Sequence, residues 1–170
     1  PIGMSALLTA KFYSPAQIIM IDLDDNRLEM AKKFGATDTI NASGGEAIDR
    51  VMELTDGKGV DVAIEAVGIP ATFDVCQKIL VPGGRLANVG VHGQSVEFHL
   101  EELWIRNITV TTGLVSTNTT PLLLETVQSD QLDPKQLITH RFPLDDILEA
   151  YDVFENAADE KAMKVILSND

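Results

Sequence analysis

The residues with the clearest chemical potential are Gly3, opening a helix-like run, and Asp22, closing the apolar stretch Ile18-Ile19-Met20-Ile21. They stand close to the roughly 20 residues apart that separate a phosphate-binding glycine from a ribose-binding acid in a dinucleotide fingerprint. A carboxylate at a strand end accepts two hydrogen bonds from adjacent ribose hydroxyls, whereas a 2'-phosphate there would set like charges together, so the pattern selects NAD over NADP. The exposed N–H groups of Ile2, Gly3 and Met4 at a helix start suit a pyrophosphate. Arg27 falls in a first helical turn, where a cation opposes the helix dipole. Contact with the adenosine ribose or ring and pairing with nearby acids are both open to it.

Two more predicted strands end at glycine, Gly68 after Val67 and Gly90 between Val89 and Val91. Each leaves room for a flat ligand over the sheet edge, the alternative being an ordinary turn glycine. His92 follows the second of these and could neighbour a nicotinamide or substrate. His99 and His140 lie in unrelated segments without a partner at ligand spacing and are read as structural. No Ser-His-Asp order, carboxylate pair or cysteine cluster is present, so neither a catalytic nor a metal-ligating residue is expected in this chain.

Placing those residues together requires strands and helices in alternation. Periodicity and end signals predict a helix over 4–13, a strand over 17–22, and a helix over 26–34 capped by Asp24 and Asp25 and closed by Gly35. A short strand over 37–40 and a helix over 46–54 follow. The run 60–68 is nearly all apolar with a β-branched bias, as expected of a parallel strand buried on both faces. Pro70 starts a helix over 71–80, and Pro82-Gly83-Gly84 turns the chain into a buried strand over 85–91. A short helix near 100–106 precedes 107–114, whose alternating Thr and Val or Ile predict a half-exposed edge strand. A helix over 120–129, a segment over 137–142, a helix over 144–156 and a strand over 163–167 complete the chain. The fold class is α/β, a doubly wound and mostly parallel sheet with its ligand crevice beyond the carboxyl ends of the strands.

With 170 residues, 45% hydrophobic and 23% charged, the chain has the make-up of one ordinary soluble domain. Its net charge of -13 argues against nucleic-acid and anionic-membrane partners. The one cysteine, Cys76, can make neither an intramolecular disulfide nor a thiolate cluster, and its apolar helical setting reads as a buried small hydrophobe. With no signal peptide and no apolar run of about 18 residues, a cytoplasmic location is the expectation.

The segments "DLDDNRLEMAKKFGATDTIN", "GVDVAIEAVG", "VPGGRLANVGV" and "LITHRFPLDDILEAYDVF", with Pro1-Ile2-Gly3 as the tail of a Gly-x-Gly-Pro-Ile-Gly loop, are specific as a set. Over nearly all of its length the chain resembles the cofactor-binding Rossmann domain of the medium-chain zinc-dependent alcohol dehydrogenases. The resemblance implies oxidation of a small-molecule alcohol to an aldehyde or ketone by hydride transfer to NAD, with a catalytic zinc whose ligands precede the glycine-rich loop and so lie outside this sequence. By position, Ile2 and Gly3 correspond to pyrophosphate contacts, Asp22 and Arg27 to ribose contacts, and Val67 and Gly68 to the adenosine side. Val89, Gly90 and Val91 correspond to the nicotinamide side, and Lys164 to a basic residue that reaches the pyrophosphate.

In the family order 3-2-1-4-5-6 the central strand would precede Pro1. Each backbone group left unpaired by that gap costs about 1–3 kcal/mol against a total stability of about 5–15 kcal/mol. The sequence is therefore expected to be an N-terminally incomplete NAD(P)-binding domain over 1–170, inactive alone, with 137–170 returning toward a catalytic domain. Rival readings are a zinc-free, NADP-preferring reductase of the same superfamily, a non-catalytic NAD-sensing module, and a methyl-donor-binding domain, the last disfavoured by Pro and Ile in the glycine loop. The segment 107–114 resembles the family's subunit-pairing strand, which implies a homodimer or homotetramer. Light scattering of the full-length protein is expected to give at least a dimer mass; a monomeric mass would overturn the pairing.

Overall fold

The computed structural model describes residues 1–169. In chain order the elements are α1 (Ile2–Ala10), β1 (Ile19–Asp22), α2 (Asp25–Phe34), β2 (Asp38–Asn41), α3 (Ala47–Leu54), β3 (Val60–Glu65) and α4 (Pro70–Lys78). Then come β4 (Leu80–Asn88), α5 (Leu100–Leu103), β5 (Thr109–Thr112), α6 (Thr120–Gln128), β6 (Ile138–Pro143), α7 (Ile147–Glu155) and β7 (Lys164–Ser168). Local chemistry sets several of the ends. Asp24 accepts the Arg27 N–H at 3.1 Å and so starts α2, which Gly35 stops with a left-handed φ of 106°. Pro70 occupies the first turn of α4, where its missing N–H costs no helical bond.

The strands form three ladders: β1 with β2, the order β3-β4-β5, and β6 with β7. The pairs β3/β4, β4/β5 and β6/β7 are all parallel, in keeping with the α/β, mostly parallel fold expected. The described residues cluster into two compact units, one holding Pro1, 3–39 and 118–169 and the other Ile2 and 40–117.

In the first unit, Met4, Leu7 and Leu8 of α1 pack with Ala31 and Phe34 of α2 and with Met163, and Ile18 and Met20 close over them. This core sets the carboxyl end of β1, and with it Asp22. The segment expected over 137–142 is a strand, paired with β7 from Ile138 opposite Lys164 to Pro143 opposite Ser168, and α7 packs on both.

In the second unit, α4 packs on β3 and β4 and buries Phe73, Cys76, Ala63, Leu80 and Leu86. Three expectations need correction here. The run 60–68 is not buried on both faces: Ala63 and Glu65 are covered, but Val62 and Ile64 are exposed. Apolar composition states what a face is able to bury; a layer must still lie over it. Secondly, Pro82-Gly83-Gly84 does not turn the chain into a new strand. β4 already begins at Leu80, and the register steps from Val60 opposite Leu80 to Val62 opposite Arg85, so the Pro-Gly-Gly forms a bulge within it. The strand then ends at Asn88, leaving Val89-Gly90-Val91 beyond it. Finally, β5 is the edge strand as read, but all four of its residues are exposed instead of alternating.

Cys76 is buried as expected; burial, with the nearby Glu65 charge adding, pushes its thiol up to about 12. No described helix is long and apolar enough to cross a membrane. Because Leu86 lies fully inside the second unit, Leu86→Ala is expected to cost about 2–5 kcal/mol, read from the shift of a urea unfolding curve.

Candidate functional site

In the first unit the expected ligand residues gather around the end of β1. Asp22 Oδ1 accepts the backbone N–H groups of Leu23 at 2.8 Å and Asp24 at 3.1 Å, a local Asx turn that fixes the carboxylate at the strand end. The capping of α2 falls to Asp24, so Asp22 is not consumed as a helix cap. Arg27 Nη1 lies 3.9 Å from Asp22 Oδ1, with 45% and 35% of the two side chains exposed. Of the two earlier readings of Arg27, the structure shows the pairing with a nearby acid.

The charges of Arg27, Asp22 and Lys164 all reach Pro1, so the three act on one locality. Lys164 is the exposed first residue of β7. Ile2 and Gly3 form the first turn of α1, which carries no side-chain cap and no acid, so its N–H groups lack a competing carboxylate.

In the second unit the predicted residues occupy two turns, 66–68 after β3 and 89–91 after β4. Between them lies a residue that the sequence reading missed. Glu65, the last residue of β3, is 1% exposed, and its Oε1 accepts from Val67 N and Gly68 N, each at 2.9 Å, and from Thr72 Oγ1 at 2.7 Å. Its backbone carbonyl accepts Val89 N at 2.8 Å and Gly90 N at 3.1 Å. Burial pushes the carboxyl up, but the bonds from Gly68, Thr72 and Val67 and the nearby His92 outweigh it and hold it below the usual range. The signal was available: a charged residue inside a buried apolar strand has to be paired.

The turn backbones touch. A Cβ on Gly68, whose φ is 94°, would strike the Val91 carbonyl, and one on Gly90 would strike Glu65 Oε2 and Gly68 N. These glycines serve the close approach of two backbones. The side chains of Val67, Val89 and Val91 point to solvent.

His92 Nε2 donates to Asn88 Oδ1 at 2.8 Å and faces Glu65 Oε2 at 3.4 Å, while its ring meets Phe73 edge-on at 5.7 Å. Glu65 Oε2 and His92 Nδ1 are buried without a hydrogen bond. His99 contacts Asp74 at 3.5 Å and Glu101 at 3.3 Å; His140 contacts Thr139 Oγ1 at 3.0 Å and stacks on Phe142. Among the described residues no group of three or more His, Cys, Asp or Glu could hold a metal ion.

Comparison with known proteins adds the following. Residues 1–129 match the family model described as zinc-binding dehydrogenase. An alcohol dehydrogenase of Cupriavidus necator is 37% identical over 163 residues, covering 94% of this chain and 44% of that relative. Sorbitol dehydrogenase of Bacillus subtilis is 33% identical over 151 residues, 88% of this chain and 43% of the relative. Among solved structures, zinc dependent alcohol dehydrogenase 2 from Streptococcus pneumonia superposes with a TM-score of 0.93 at 62% identity, covering 98% of this chain and 48% of that one. Alcohol dehydrogenase TADH from Thermus sp. ATN1 gives 0.89 at 31% identity, covering 97% and 47%. The chain spans about half the length of these relatives.

The depressed Glu65 carboxyl has a consequence for acid stability. Its folded value lies below the ordinary 4.5, so its contribution is complete above about pH 4.5 and is lost as pH falls through the folded value. Glu65→Gln is expected to lower the urea midpoint at neutral pH and to flatten its decline below pH 4.5, measured by unfolding curves across the acid range.

Proposed function

The chain belongs to the zinc-binding dehydrogenase family, and from that premise we propose that it forms the NAD-binding part of a dehydrogenase oxidising a small-molecule alcohol to an aldehyde or ketone. The reading rests chiefly on Asp22, a half-exposed carboxylate held at the end of β1 with Arg27 beside it. Its carboxylate takes the ribose hydroxyls, and its charge repels a 2'-phosphate. Arg27 swings from the acid to the adenosine ribose or ring. The first N–H groups of α1, at Ile2 and Gly3, and the ammonium of Lys164 hold the pyrophosphate. Val67 and Gly68 flank the adenosine side; Val89, Gly90 and Val91 wall the nicotinamide side, their exposed apolar side chains keeping water off a flat ring. Bound NAD supplies the hydride acceptor.

Zinc, in this reading, is bound by residues outside this chain and polarises the alcohol there. The exposed Leu148, Tyr151 and Phe154, spaced by three along α7, support the view that 137–170 packs on a further domain. The exposed β5, with Trp104, Ile105, Leu114 and Val115 exposed around it, supports strand-to-strand pairing of two copies in a homodimer or homotetramer. The net charge of -13 and lone buried cysteine fit a cytoplasmic protein without nucleic-acid or membrane partners.

Fluorescence titration with NADH and NADPH tests the cofactor assignment. The wild type is expected to favour NADH, and Asp22→Ala to lose about tenfold or more of its NADH affinity while NADPH binding holds or improves. A wild type that prefers NADPH would overturn the NAD assignment in favour of a zinc-free reductase.

A further inference from the structure

We propose that Glu65 is a positioning residue for the nicotinamide nucleotide: its buried carboxylate and its own carbonyl lock the turns 66–68 and 89–91 into one rigid surface. This rests on the reading that those turns face NAD. One residue holds both turns, the first through Oε1 and the second through its backbone oxygen. A ring of contacts then closes. Glu65 Oε2 faces His92 Nε2 at 3.4 Å, His92 Nε2 donates to Asn88 Oδ1 at 2.8 Å, and Asn88 Nδ2 donates to Gly90 O at 3.0 Å. Every link lies within the second unit.

A plug for the core would not need to be charged. Replacing a buried charge by an apolar residue of similar volume is often neutral or stabilising, yet here a carboxylate with no side-chain exposure sits at a strand end. Its charge gathers the N–H groups of Val67 and Gly68, and its backbone carbonyl gathers those of Val89 and Gly90, so that the turns show the side chains of Val67, Val89 and Val91 to the ligand. Surfaces fixed before binding spend less of the interaction on ordering themselves.

The test uses the protein as its gene encodes it, with NADH binding followed by calorimetry and the melting temperature followed in parallel. Glu65→Leu is expected to weaken NADH binding by about tenfold or more and to raise the KM for NAD, leaving the KM for the alcohol unchanged. Glu65→Gln, which keeps an acceptor for the three donors, loses less than about fivefold. Leu86→Ala, a core truncation in the same unit, lowers the melting temperature but holds NADH affinity within about twofold. Should Glu65→Leu fail to fold, Thr72→Val and His92→Leu carry the test, each with an expected loss of about threefold. Wild-type affinity in Glu65→Leu, or in both substitutes, would overturn the proposal, as would an equal loss in Leu86→Ala. A wild type that binds no nicotinamide nucleotide overturns the parent reading and this one with it; unaffected variants of a binding wild type overturn this one alone.

Discussion

A carboxylate shut away from water must find donors or give up its charge, and Glu65 finds three on a single oxygen. Stripping an ion of water costs several kcal/mol, while each hydrogen bond to a charged group returns about 1.5–3 kcal/mol only if its donor is already in place. That arithmetic dictates the turn after β3. Successive N–H groups from Val67 and Gly68 reach one oxygen, and the chain leaves that turn through a left-handed φ of 94° at Gly68, which a side chain would resist. Gly90 answers the same demand from the other side, because a Cβ there would enter the space held by Glu65 Oε2. The acid at 65 and the glycines at 68 and 90 are thus one requirement written in three places.

That dependence explains what the sequence could and could not reveal. Signals confined to neighbours in the chain read well: Asp24 and Gly35 bound α2, Pro70 opens α4, and the apolar run before Asp22 is a strand that ends at that residue. Signals whose meaning depends on a distant partner read poorly. Pro82-Gly83-Gly84 has the composition of a turn, yet parallel pairing with β3 carries β4 straight across it as a bulge. Val62 and Ile64 have the composition of a core, yet α4 covers the opposite side of β3. Gly68 and Gly90 read as room for a flat ligand or as turn glycines, whereas what presses on them in the structure is backbone and a carboxylate. Glu65 itself carried a local signal, a charge inside an apolar strand, but Val89, Gly90 and His92, which complete its surroundings, come from a distant segment.

The two strand-end acids, Asp22 and Glu65, differ in how firmly they are held. Asp22 is partly exposed, fixed by two local N–H groups, and paired with Arg27 at 3.9 Å; an exposed pair of that kind contributes about 0–1 kcal/mol. A ligand that draws Arg27 away therefore gives up little. Glu65 is committed to its turns, and breaking a buried charge out of its donors costs far more than parting a surface pair. Weak holding suits a group that must exchange a protein partner for a ligand; strong holding suits one that keeps a surface in shape. The same side-chain chemistry, a carboxylate at the end of a strand, is thus held loosely at the end of β1, as the proposed recognition requires, and tightly at the end of β3, as the proposed preorganisation requires, with burial deciding between them.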